Sequence, residues 1–272
     1  MHFAHRPLGT SEHTYKLRPS PLNHPLVKAS MDRWAKGLPS PVPASMGVAP
    51  PAGADLSPFF AGIRNQGGEG ACTGFATAQF REVQMAALEW KEGMVPVPLP
   101  LRLSPAYLYA RTRMGEGTFP ADSGATMADE FAVLQAYGVC PETDMPYDQD
   151  PAEPIPNIAD AAAVEYRIGQ PTMVDLDDPK NGMAVLNARL PIAIAIPVYD
   201  SFEGLGAGGV LPVPDPSKEA LHGGHGVLLI GYDAGRQLYK GVNQWGTSWG
   251  AGGYFWMPMS GYPIWEAWTA PS

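Results

Sequence analysis

The sequence predicts an α+β fold, helices first and strands second, on three observations. Residues 72 to 138 place apolar side chains at helical spacing, whereas residues 190 to 257 hold short apolar or alternating runs bounded by Gly, Pro and Asp. The 31 glycines and 30 prolines exclude an all-helical bundle and imply long loops. Such an order suits two lobes meeting along a groove.

From Cys72 onward, Ala76, Phe80, Val83, Ala87 and Trp90 recur at intervals of four and three, which predicts a helix packed on one side and ending at Gly93. Ser104-Pro105, a cap residue followed by proline in the first turn, starts a second helix through AYLYARTRM. A third runs from about Thr126 to Tyr137, with Asp129 and Glu130 suited to its positive end and Gly138 as its stop. After a proline-rich connection, residues 181 to 189 suit one more short helix, and IAIAIPV, GVLLIGY and GYFWM read as strands. Residues 1 to 50 form a Pro-rich arm preceding a body of residues 51 to 272. Within the arm, HPLVKASMDRWAKGL can align Leu26, Met31, Trp34 and Leu38 on one face of a short helix.

At 45% hydrophobic residues the chain can bury a sizeable core, so disorder throughout is excluded. The net charge of −9 divides unevenly: the arm carries six Lys/Arg against two Asp/Glu, the body twelve against twenty-five, a net of −13. An acidic body repels phosphates, so nucleic acid is not an expected partner. The N-terminus lacks an apolar signal core, and LPIAIAIPV at 190 to 198 is too short to span a bilayer. The expectation is therefore no membrane association, with the protein cytoplasmic or released without a classical signal. Cys72 and Cys140 make no disulfide framework, though one bridge between them stays open.

Beyond residue 50 the only histidines are His222 and His225, so an imidazole base in the body must be one of the two. His225 precedes the apolar run GVLLIGY and is expected at a strand's beginning; His222 is expected in a mobile glycine-rich loop. A lone cysteine is more often a core residue than a nucleophile. Cys72, however, stands at a predicted helix start, where unpaired N–H groups and the helix dipole favour thiolate, and a nearby imidazolium would favour it further. Gln66, six residues earlier across Gly67, Gly68 and Gly70, can swing its amide toward the thiol as an oxyanion donor, or sit idle in solvent. Asn243, beside Trp245, can fix the tautomer of His225 while the indole shields that bond, or both can be ordinary turn and core residues. Too few ligands at recognised spacing are present for a metal site, and no cofactor is expected.

NQGGEGACTGFA, GGHGVLLIGYD and NQWGTSWGAGGYFWM, in that order, resemble the three signature blocks of papain-like cysteine peptidases, NQGxCGSCWAFA, HAVxxVGY and NSWGxxWGxxGY. LSPAYLYAR and DSGATMADEFAVLQAYGVCPETDMPYD resemble further segments between them. The resemblance implies a papain-like fold with a helical N-terminal lobe, an antiparallel β-barrel-like C-terminal lobe and a cleft between them. It implies a thiol-dependent endopeptidase of the family's bacterial-type branch, hydrolysing peptide or protein substrates through an acyl-enzyme. Cys72 becomes nucleophile, His225 its proton partner, Asn243 the orienter of His225, Gln66 an oxyanion donor and Trp245 the cover of the Asn–His bond. Gly124, in DSGAT, becomes a contact for substrate backbone, and His222 matches no catalytic position. Thr73, Glu69, Gln244 and Gly226 depart from the common pattern; Glu69 replaces a half-cystine, which implies a less tethered Gly67–Gly70 loop. An acyl transferase needs the same residues, and a structural or interaction subunit of a larger assembly is the remaining alternative. The basic arm either covers the cleft as a short prosegment or docks to another protein.

Overall fold

A computed structural model describes residues 13–36, 51–90 and 101–272 of the chain. Seven helices are present among them: α1 (Pro25–Ala35), α2 (Cys72–Glu89), α3 (Pro105–Glu116), α4 (Met127–Ala136), α5 (Asn157–Ala163), α6 (Pro179–Asn187) and α7 (Asp200–Glu203). The strands are β1 (Gly53–Asp55), β2 (Thr172–Met173), β3 (Ile192–Tyr199), β4 (Leu221–Asp233), β5 (Leu238–Val242), β6 (Tyr254–Pro258) and β7 (Glu266–Thr269).

Helix termini follow the local chemistry. Ser104 accepts Tyr107 N–H and starts α3, and Thr126 accepts Asp129 N–H and starts α4. Gly117 stops α3 in the left-handed region, which a side chain would disfavour. The short helix expected over 181 to 189 is α6, beginning two residues earlier on an Asp178 cap. In α1 the buried residues are Leu26, Val27 and Ser30, whereas Met31 is exposed, so the buried face is rotated from the one the spacing suggested. Leu38 and Gly93 lie outside the described residues.

Helix α2 departs from expectation. Its predicted stripe of Ala76, Phe80, Val83 and Ala87 is buried, but so are Phe75, Gln79, Glu82 and Gln84 on other faces. The reason is its place: α3 and α4 pack on one side and β3 and β4 on the other. Polar residues survive there because they are paired. Glu82 accepts Leu103 N–H at 2.7 Å, and Gln84 donates to the Ala270 carbonyl at 2.7 Å.

All strand pairings are antiparallel, in the order β2-β7-β3-β4-β5-β6. β4 pairs with β3 along Leu221–Leu229, with β1 at Gly231–Asp233, and with β5 on its other edge. Where β4 meets the N-terminal end of α2, at Gly226, it is paired with β3, and β5 joins its other edge from Leu228 onward.

Candidate active site

Cys72 is the first residue of α2, with Ala71 as cap and no side chain taking the cap position. His225 lies inside β4, four residues after its start, and is paired with Ile196 of β3. The two elements meet closely: a Cβ added to Gly226 would lie 3.3 Å from the Cys72 carbonyl oxygen. The family's alanine at that position would be a tight fit here.

His225 Nε2 lies 2.9 Å from Asn243 Oδ1, and Asn243 Oδ1 also accepts Gln244 N–H at 2.9 Å. With Nε2 as the donor, Nδ1 is the acceptor nitrogen of the neutral ring, and it has no hydrogen-bond partner among the described residues. Trp245 lies over the imidazole with centroids 4.6 Å apart, and Phe202 of α7 meets both rings edge-on. Gln244, marked in the sequence only as a departure from the common pattern, donates to the Gly226 carbonyl at 2.7 Å and locks the strand beside His225.

Gln66 is fully buried, its Nε2 donating to the Glu69 carbonyl at 2.9 Å. One amide N–H is thus spent within the loop. The loop itself is not loosely held: Gly70 N–H reaches Asp122, Gly68 N–H reaches Gln149, and the Tyr147 hydroxyl donates to the Gln66 carbonyl. Burial pushes the Glu69 carboxyl up despite the Tyr147 hydroxyl beside it. Polar contacts here replace the covalent tether. His222, expected in a mobile loop, is instead in β4 and paired with Asp200 at 2.7 Å and Glu203 at 3.3 Å. Cys140 is buried elsewhere, and both cysteines are free thiols.

Residues 13 to 20 run between the two halves of this site. His13 stacks on Trp245 with centroids 4.1 Å apart, and Tyr15 donates to Glu203 at 2.8 Å. Lys16 and Leu17 bridge to Gly224, and Arg18 N–H donates to the Ala125 carbonyl at 3.2 Å. Glycines on both walls permit this approach. A Cβ at Gly124 would lie 1.9 Å from the Lys16 carbonyl oxygen, and one at Gly224 would lie 2.3 Å from that of Leu17. Gly124 thus does contact a peptide backbone, that of the chain's own arm.

Burial dominates the electrostatics of the site. Burial pushes the Cys72 thiol up to about 12, outweighing the backbone hydrogen bonds beside it. Burial holds the His225 imidazole down to about 3, despite Asn243 and with His13 adding to the effect. Both shifts run toward the uncharged forms, so burial in the covered site opposes the ion pair that the helix end favours. Among the described residues no group of three His, Cys, Asp or Glu side chains is arranged to hold a metal ion, and no helix is long and apolar enough to cross a membrane.

Residues 55–263 match the model of the papain family of cysteine proteases. An uncharacterized peptidase C1-like protein of Acanthamoeba polyphaga mimivirus is 29% identical over 204 residues, which cover 71% of this chain and 63% of that relative's length. Among solved structures, xylellain, a cysteine protease from Xylella fastidiosa, superposes with a TM-score of 0.72 at 27% identity, over 82% of this chain and 87% of that one. Digestive procathepsin L 3 of the Tenebrio molitor larval midgut superposes with a TM-score of 0.66 at 22% identity, over 86% of this chain and 74% of that one, a likeness of fold.

Proposed function

This chain belongs to the papain family of cysteine proteases, and from that premise we propose that it is a thiol-dependent endopeptidase acting through Cys72, His225 and Asn243. The observation that carries the reading is the meeting of α2 and β4. It brings the first residue of a helix against Gly226, the residue after a buried imidazole whose Nε2 is taken by Asn243 and whose Nδ1 is left over.

In the proposed reaction, displacement of the arm readmits water and substrate, and the Cys72 proton passes to His225 Nδ1. Asn243 then steadies the imidazolium through Nε2–H, and Trp245 keeps water from that bond. Sulfur attacks the peptide carbonyl, and the oxyanion is met by Cys72 N–H and by the Gln66 N–H not spent on Glu69. His225 gives its proton to the leaving amine, forming an acyl-enzyme, and takes one from the water that hydrolyses it. The arm acts as an inhibitory cover, since it fills the space a substrate needs.

A thiol-directed epoxide tests the assignment. Wild type should be labelled on Cys72, and Cys72→Ala should lose both label and peptidase activity, whereas Cys140→Ala should keep both. Label on Cys140 alone, or activity surviving Cys72→Ala, would remove the assignment.

A further inference from the structure

Asp122 offers more acceptors than the body uses. Its Oδ1 takes the Tyr109 hydroxyl at 2.5 Å and Gly70 N–H at 3.1 Å, with a longer contact from Gly70 to Oδ2 at 3.3 Å. These bonds are internal to the body and fix the carboxylate whatever lies in the cleft. Oδ2 and the backbone carbonyl of the same residue then converge on one nitrogen, Lys16 Nζ, each at 2.7 Å.

The lysine reaches them along a slot. Its backbone lies against Gly124, and its stem lies against Gly70, where an added Cβ would come within 3.0 Å of Cδ and 3.2 Å of Cβ. Gly70 is two residues before Cys72, so the slot opens next to the proposed nucleophile. When the arm leaves, two oxygens remain aimed at the place an ammonium occupied, and among the described residues no body donor is directed to the carbonyl.

Resting on the peptidase reading above, we propose that Asp122 is the specificity-determining residue of a subsite for a basic side chain of the peptide substrate, which Lys16 fills in the covered molecule. Two oxygens meeting at one nitrogen suit the compact ammonium of lysine better than the planar fork of arginine. A neutral side chain of the same length would leave both acceptors without a donor, and an acidic one would be repelled. Gly70 and Gly124 lie against the lysine and bring no side chain to it.

The test uses the full chain carrying Lys16→Ala, so that the arm's own lysine does not compete. Tripeptide probes bearing a thiol-reactive electrophile are compared in which lysine, norleucine or glutamate occupies each of the three positions in turn, and labelling of Cys72 is followed by intact mass. At one position the lysine probe should label about ten-fold faster than its norleucine counterpart, with glutamate slower still, a modest ratio because the site is partly solvated. Adding Asp122→Asn, which keeps an oxygen for Gly70 and Tyr109, should bring that ratio to within about two-fold. Cys72 labelled with no position preferring lysine, or a preference that persists in Asp122→Asn, overturns the subsite and leaves the peptidase reading standing. The first of these results needs no Asp122 variant to fold. Failure of every probe to label Cys72 overturns the peptidase reading and the subsite with it.

Discussion

Replacing Lys16 by alanine removes the two hydrogen bonds it donates to Asp122, both 2.7 Å long, while leaving the arm's backbone contacts in place. In a dry site, hydrogen bonds to a charged group contribute roughly 1.5–3 kcal/mol each. Here the lysine side chain is 36% exposed and the aspartate 20%, so screening brings the pair to about 1 kcal/mol. A loss of about 1 kcal/mol raises the population with the arm displaced about five-fold. Labelling of Cys72 by an uncharged epoxide in the full chain reads that population, provided the arm recloses faster than the reagent reacts. Arg18→Ala, which removes the pair with Glu116 at 2.5 Å, should act similarly, and the double variant should multiply the two effects to about 25-fold if they are independent. Rates within two-fold of wild type for both single variants, with Cys72 still the labelled residue, would show that the arm does not limit access and would remove its inhibitory role.

Other consequences follow from the same geometry. His225→Ala should lower kcat by roughly 10²–10⁴-fold, while His222→Ala, which removes pairs with Asp200 and Glu203 and a ring contact with Tyr15, should keep turnover within a few-fold. Equal losses in a peptide hydrolysis assay would contradict the assignment. Glu130, fully buried behind α2, has its carboxyl raised to about 8 by burial, with Thr112 and Thr73 hydroxyls opposing this in part. Its folded value lies above its unfolded one, so the folded state holds the extra proton and stability falls as pH rises from about 4.5 to about 8. Relative to Glu130→Gln, wild type should therefore lose up to a few kcal/mol between pH 5 and pH 8, measured by denaturant unfolding. A parallel pH dependence in the two chains would mean that Glu130 is not the buried acid responsible.

Much of this molecule was legible along the chain because the signals are local. A hydroxyl before a proline caps α3, a threonine caps α4, and alternating apolar residues bounded by Gly and Asp mark the strands. The three blocks around Cys72, His225 and Asn243 were readable in the same way, as residue types at set spacing. Asp122 carried a signal too, an acid two residues before Gly124, but its meaning depends on Lys16, a partner 106 residues away. The width of the buried face of α2 was misread because periodicity reports one apolar stripe and says nothing of a second layer closing over the polar side.

The sequence by itself determined where α2, α3 and α4 begin, that an imidazole base in the body must be one of two histidines, and that the body is acidic and the arm basic. Only the tertiary structure decided that the arm threads between Gly124 and Gly224, that Asp122 is aimed at a lysine, and that burial disfavours the charged forms of Cys72 and His225. Capping and periodicity are set by neighbours a few residues apart, so they are written in order along the chain. Protonation and occupancy depend on how much water is left around a group, and that is settled only when segments distant in sequence close over it.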